Sequence, residues 1–312
     1  MRLFYAGDFH GSEQCFRKFL NAARFYDAQV LVLGGDITGK VMVPLVEQKP
    51  GRFVAHVFGR KRKAKRPDDV AELEKQIRFN GFYPYRCSPE DYDRLAEDDK
   101  YREQVMSGLM VEEVKRWMKI ADEKLLGSDV RCFIMPGNDD EWEIDEVIGS
   151  EVVENPDGRV VRVGDYQMLS SAWANPTPWD SPREAEETRL SSIYEEIAAQ
   201  LDPELPAIFN LHVPPYGTGL DMAAELDEDF NVRKSGGQPN IVPVGSQAVR
   251  TLIEHHDPIL GLHGHIHESR YATTLGRTFC INPGSNYADG VLDGALVDLE
   301  SGEVARHQLV SG

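Results

Sequence analysis

Long apolar stretches are missing from this 312-residue chain. None approaches the roughly 18 residues that a membrane span requires, so no transmembrane helix is expected. Paired cysteines are missing too. Cys15, Cys87, Cys132 and Cys280 are widely scattered with no CxxC spacing. That argues against a zinc knuckle or a disulfide framework, and for buried thiols in a reducing, cytoplasmic setting. Positive charge is scarce: 34 Lys and Arg face 52 Asp and Glu, a net charge of −18. Such a chain repels nucleic acid and anionic membranes on average, so neither is expected as a partner. Any anionic substrate needs a local positive site. The start, Met1 to Asp8, meets an acid too early for a secretory leader and reads as a first strand.

Five short apolar runs recur: Arg2–Ala6, Gln29–Leu33, Cys132–Met135, Ala207–Leu211 and Pro258–Leu262. Each ends near Gly, Pro, His or Asp. Helical spacing of three to four lies between them, as in Phe16, Phe19, Leu20, Ala23 and Tyr26. Met106, Met110, Val114, Trp117, Ala121 and Leu125 repeat it, as do Leu190, Ile193, Tyr194, Ile197 and Leu201. Strands alternating with helices of this length predict an α/β protein. Residues 151–173 and 271–309 alternate in a way that adds antiparallel strands. Residues 40–104 break the rhythm and read as a charged insertion with one or two helices and an aromatic loop. Its basic run, Arg60 to Arg66, reads as a solvated loop balanced by acids such as Glu90-Asp91 and Glu97-Asp98-Asp99. One domain over residues 1–312 carrying that insertion is the expected organisation.

Every apolar run delivers metal-capable side chains where it ends. The first is followed by Asp8-Phe9-His10, the second by Gly34-Gly35-Asp36, and the third by Gly137-Asn138-Asp139. The fourth leads to His212, and the fifth to Gly264-His265-Ile266-His267. In an extended backbone residues i and i+2 face one side, which predicts that Asp8 converges with His10 and His265 with His267. Any one of these pairs is an ordinary turn or a satisfied core pair. Five on successive strand ends, at the edge where open α/β sheets bind ligands, point to a two-metal site.

The ordered set Asp8-x-His10, Gly35-Asp36, Gly137-Asn138, His212 and Gly264-His265-x-His267 resembles the calcineurin-like metallophosphoesterase superfamily over residues 8–267. The stretches His212-Val213-Pro214-Pro215-Tyr216-Gly217 and Ile281-Asn282-Pro283-Gly284-Ser285 are similar to its prokaryotic cyclic-nucleotide-phosphodiesterase-like branch. The resemblance implies two packed mixed β-sheets flanked by helices, a four-layer αββα sandwich. It implies two divalent transition-metal ions, manganese first, with iron, zinc, cobalt or nickel as alternatives. One would be held by Asp8, His10, Asp36 and His267, and the other by Asp36, Asn138, His212 and His265, with Asp36 shared. It further implies hydrolysis of a small phosphoester by a metal-bridging hydroxide, with Asn138 placing the phosphate through its NH2 group. The insertion at 40–104 matches nothing in the pattern.

Many members of the superfamily carry His after the Asn, and here the residue is Asp139. An ionised carboxylate cannot protonate a leaving group and adds charge against a dianionic monoester. A preference for cyclic or activated phosphodiesters is therefore expected, with Asn138 and Asp139 as the catalytic pair. A phosphomonoesterase or nuclease of the same fold, or a non-catalytic metal-binding scaffold, are the alternatives. His56, His255, His256 and His307 read as ordinary surface histidines, His263 as a strand-end core residue and Asn282 as a turn-former. Trp173, Trp179, Tyr83 and Tyr216 are candidates either for core packing or for lining a pocket.

Overall fold

Each of the five apolar runs forms a strand in the computed structural model, which describes residues 1–227 and 229–312. Three of them lie in one six-stranded sheet and two in another. In the first sheet the order is Glu303–Ser311, Asp293–Glu300, Arg2–Ala6, Val30–Gly34, Arg131–Met135 and Val153–Glu154. Its middle is parallel and its C-terminal strands antiparallel. The second sheet runs Tyr271–Leu275, Thr278–Asn282, Leu260–Leu262, Ala207–Leu211, Tyr166–Ser171 and Arg159–Val163, again parallel inside and antiparallel at both edges.

Alternation along the strands builds the layers. Leu3, Tyr5, Val30, Val32 and Phe133 of the first sheet meet Met168, Ile208, Leu260, Leu262 and Ile281 of the second in one buried cluster. The opposite face of the first sheet, with Phe4, Ala6, Leu31, Leu33 and Ile134, packs on helices Glu13–Phe25 and Asp99–Leu125. Phe16 and Trp117 stack there at 4.3 Å. The outer face of the second sheet, with Leu169, Phe209, Leu211 and Cys280, packs on helices Glu187–Ala198 and Gln247–His256. Burial on both faces is what lets these strands read as unbroken apolar runs. The result is the four-layer αββα sandwich. All four cysteines are free and buried. No helix among the described residues is long and apolar enough to cross a membrane.

The insertion differs from its expected form. It holds helices Pro67–Phe79 and Pro89–Glu97, and also a third sheet of four strands ordered Arg60–Ala64, Arg52–Val57, Met42–Lys49 and Tyr83–Cys87. Val43, Leu45, Ala55, Val57 and Ala64 bury one face against Val70, Leu73 and Ile77. The basic run is thus an edge strand and not a loop. Two of the acids expected to balance it pair elsewhere: Asp98 with Arg94 and Asp99 with Arg102.

Candidate metal centre

Parallel strands end at a common edge, and the candidate ligands stand on the loops beyond it. Asp8 and His10 follow Arg2–Ala6, and Asp36 follows Val30–Gly34. Asn138 follows Arg131–Met135, His212 follows Ala207–Leu211, and His265 and His267 follow Leu260–Leu262. Asp8, Asp36, Asn138 and His212 are buried, and the other three are half-buried. Their donor atoms form two adjoining groups, Asp8–His10–His267 and Asp36–His212–His265, each with its atoms within 4.8 Å of one another. Asp36 reaches both: its Oδ2 lies 3.3 Å from His212 Nε2 and 3.8 Å from His10 Nε2. Asn138 joins the second group through Oδ1, 2.8 Å from His265 Nδ1.

The convergence does not come from strand parity. Asp8, His10, Asp36 and His265 all have positive φ, at 57°, 42°, 50° and 67°. The two-residue periodicity of an extended chain is therefore lost, and His265 and His267 turn into different groups. Left-handed backbone costs a residue with a Cβ about 1–2 kcal/mol, and such strain collects at functional sites. Here backbone bonds hold it in place: the Asp8 and His10 amides donate to the carbonyls of Gly35 and Asp36 at 2.9 Å each. The His265 amide donates to both Asp8 carboxylate oxygens, at 3.0 and 3.1 Å. A side chain at Gly264 would meet Asp8 Oδ2 at 2.5 Å, so only glycine fits there.

These donors fit metal ions. Two buried carboxylates, four imidazoles and an amide oxygen are a mixed N/O set suited to transition metals. Two ligand atoms about 2.1 Å from one ion stand roughly 3.0–3.4 Å apart. His10 Nε2 and His267 Nε2 are 3.1 Å apart, and His212 Nε2 and Asp36 Oδ2 are 3.3 Å apart. His212 Nδ1 is committed to the Gly34 carbonyl at 2.8 Å, so Nε2 is the atom that faces the carboxylates. That Nε2 is fully buried and makes no aligned hydrogen bond, which is uncommon and costly in a folded protein. The electrostatics agree. Burial raises the Asp36 carboxyl, but His212, His10 and His265 outweigh it and hold it well below the ordinary range. Burial likewise opposes charge on His212, yet Asp36 and Asp8 lift it to about 10. Desolvation, and His212 beside it, push His265 down to about 4. A buried anionic pair of this kind draws positive charge.

No family model matches the chain. MJ1162, an uncharacterized protein of Methanocaldococcus jannaschii, is 30% identical over 166 residues, which cover 52% of this chain and 68% of that protein. The crystal structure of TT1561 of Thermus thermophilus covers 100% of this chain and 97% of its own at TM-score 0.55 and 14% identity. A second solved structure covers 100% and 98% at TM-score 0.56 and 14% identity. Identity that low speaks for the fold alone. The chain is related to MJ1162 and shares the fold of these two solved structures.

The fold also brings to the centre residues that motif reading passed over. Asp140 is fully buried. Its carboxylate accepts from the amides of Ile37 (3.0 Å), Thr38 (2.8 Å) and Gly137 (2.8 Å), and from the Thr38 hydroxyl (2.5 Å). It thereby ties the Asp36 loop to the Asn138 loop. Arg183, also fully buried, donates to the Asp140 carbonyl, pairs with Asp145 at 2.5 Å and covers the Trp142 ring at 4.3 Å. Glu184 Oε1 accepts from Asn138 Nδ2 at 3.3 Å, which takes up one N–H of the group expected to face a phosphate, and Oδ1 is turned toward His265. Asn282, read as a turn-former, donates to the carbonyls of Gly264 and Ile266 at 3.1 Å each and so shapes the His265–His267 loop. Tyr287 lies 4.6 Å from the His10 ring.

Asp139 sits at the mouth with partners of its own. Lys40 Nζ is 3.3 Å from its Oδ1, the Ser181 hydroxyl donates to Oδ1 at 3.2 Å, and His10 Nδ1 is 3.9 Å from Oδ2. Burial and Asp36 push its carboxyl above the ordinary value, against Lys40 and His10. The uncompensated negative charge expected at this position is therefore offset by Lys40. Of the other candidates, Tyr83 is buried and its hydroxyl accepts from the Gly39 amide at 2.7 Å, while Trp179 is mostly exposed. His263 is a core residue bonded to the Leu211 carbonyl. Glu195, His255 and His256 also cluster, but at a helix end that leads into the opposite edge of the second sheet.

Proposed function

We propose that the chain is a two-metal phosphoester hydrolase that favours phosphodiesters, cyclic or with activated leaving groups. The observation that carries this reading is the convergence of two donor groups on Asp36 at one strand edge. Asp8, His10, Asp36 and His267 hold one ion, and Asp36, Asn138, His212 and His265 the other. When bound, two dications supply Lewis acidity toward phosphate oxygens and toward water. Asp8 and Asp36 cancel only part of that charge, so a positive pocket for an anionic group remains within an acidic protein. The Gly34 carbonyl and Glu184 orient His212 and Asn138, and Asp140 fixes the spacing between the loops that carry Asp36 and Asn138.

The diester preference rests on Asp139. Lys40, Ser181 and neighbouring dications all favour its carboxylate form, which has no proton to give a departing alkoxide. Leaving groups of low pKa need that help least. Charge repulsion of a dianionic monoester contributes less, since Lys40 offsets it.

Elemental analysis after manganese loading should find about two ions per chain. The loaded protein should cleave a bis-aryl phosphate faster than an aryl monophosphate. No bound metal would overturn the two-metal reading, and a faster monoester would overturn the diester preference. Asp139→His should raise the monoester rate relative to the diester, with metal content unchanged.

A further inference from the structure

The hairpin joining Arg52–Val57 to Arg60–Ala64 has an uncommon tip. Its two turn residues, Phe58 and Gly59, both take positive φ, at 53° and 68°. That is the geometry of a type I′ turn, whose first position favours Asn, Asp or Gly. Phenylalanine is strained there, and 51% of its surface faces solvent. Arg60, Lys61, Arg62 and Lys63 follow, all exposed, then Lys65 and Arg66. Of these six cations, Arg66 alone has a carboxylate within 4.0 Å among the described residues, that of Asp69. Edge lysines do discourage sheets from pairing edge to edge, but that role leaves the solvent-facing ring unexplained.

The hairpin starts beside the metal centre. Phe58 stacks on Phe82, with ring centroids 5.9 Å apart. Phe82 adjoins Gly81, where a Cβ would lie 3.1 Å from the His10 carbonyl oxygen. Register places Phe58 and Arg60 at the end of the third sheet where Met42 pairs with Tyr83, two residues beyond Lys40. Ala64 is buried beneath the Pro67–Phe79 helix, and Arg62 reaches Gln76 of that helix at 3.3 Å. Strand alternation turns Lys61 and Lys63 to the other face. The basic strand therefore begins near the centre and leads away from it.

We propose that this hairpin is a track for single-stranded nucleic acid, which delivers a phosphodiester link of a polynucleotide to the metal centre. An aromatic ring for a base to stack on, followed by cations spaced along a backbone, is the combination such binding uses. The overall charge of −18 does not forbid it, because at physiological salt exposed charges beyond about 8 Å are largely screened. The proposal rests on the phosphodiesterase reading, and its test keeps the two apart.

The probe is a fluorescein-labelled oligothymidylate, followed by anisotropy on metal-loaded protein between about 50 and 200 mM salt. Wild type should bind with an affinity that falls as salt rises. Replacing Arg60, Lys61, Arg62 and Lys63 together by Ala should weaken binding at least about tenfold and reduce the log–log salt slope by roughly 2–3. Phe58→Asn suits the turn and keeps the fold; it should weaken binding about fivefold or more without changing the slope. Both variants should cleave the bis-aryl phosphate at the wild-type rate. Unchanged binding in either variant, or displacement by heparin as effective as by unlabelled oligomer, overturns the proposal. Wild type that binds the oligomer yet leaves the bis-aryl phosphate intact would count against the phosphodiesterase reading and not against the track.

Discussion

The metal centre and the third sheet begin within a few residues of each other and follow opposite rules. At the centre, charge is buried, dense and mutually satisfied: Asp8, Asp36 and Asp140 are almost fully enclosed, and each is met by imidazoles or amides. On the outer strand of the third sheet, charge is of one sign, exposed and, among the described residues, without a carboxylate partner. Buried charge must be paired because its desolvation is costly, so the centre is rigid and intolerant. Exposed charge costs little, so the basic strand is free to be shaped by what it meets.

Four substitutions test that contrast, from the largest expected effect to the smallest. Asp36→Ala removes the carboxylate common to both donor groups; it should lower the diester rate at least about a thousandfold, since each metal contributes several kcal/mol. Retention of both ions by elemental analysis would break the two-group description. Asp140→Ala strips four hydrogen bonds from buried donors and should destabilise the metal-free protein by about 3 kcal/mol in urea unfolding. A loss under about 1 kcal/mol would show that the two loops hold without it.

Asp157 gives a pH signature. Burial raises its carboxyl to about 6, with Arg183 opposing and Asp145 assisting. A carboxyl raised above its unfolded value near 3.9 keeps its full contribution below that value and loses it as pH rises through about 6. Asp157→Asn can still accept from the Ala172 amide and should remove that loss, at most about 2 kcal/mol because the residue is only half-buried. Stability curves for the two proteins that stay parallel from pH 4 to 7 would contradict it. Phe58→Asn carries the smallest effect: relief of the strained turn should stabilise by about 1 kcal/mol. A destabilised variant would mean that the ring packs on Phe82 more than it suffers from its backbone.

The strand ends were legible because their signal is local. Each apolar run announces its own strand, and the polar residue that follows needs no distant partner to be noticed. Asp140 and Arg183 were not legible. Asp140 reads as one more acid in a turn, yet it bonds Thr38 across 102 positions in the chain. Arg183 acts on carbonyls 42 or more residues away, for which no sequence pattern exists. The geometry at Asp8 and His265 was missed for another reason: positive φ in a residue with a Cβ is imposed by tertiary contacts that propensity does not contain. In the insertion, Phe53, Ala55 and Val57 did alternate and could have revealed a strand. Arg60 to Lys63 could not, since a run of four cations has no apolar face to set a period.

The hydroxyl of Tyr83 accepts from the Gly39 amide, three residues past Asp36 and one past Thr38, which Asp140 grips. The third sheet is therefore rooted in the same short segment that presents the shared carboxylate. Thermodynamic linkage follows: whatever ion steadies Asp36 also steadies the root of the sheet, and thermal protection should spread outward from the centre to the hairpin. Amide exchange would record this as slowed opening at Val43 and Leu45 when metal is added, although neither residue touches an ion.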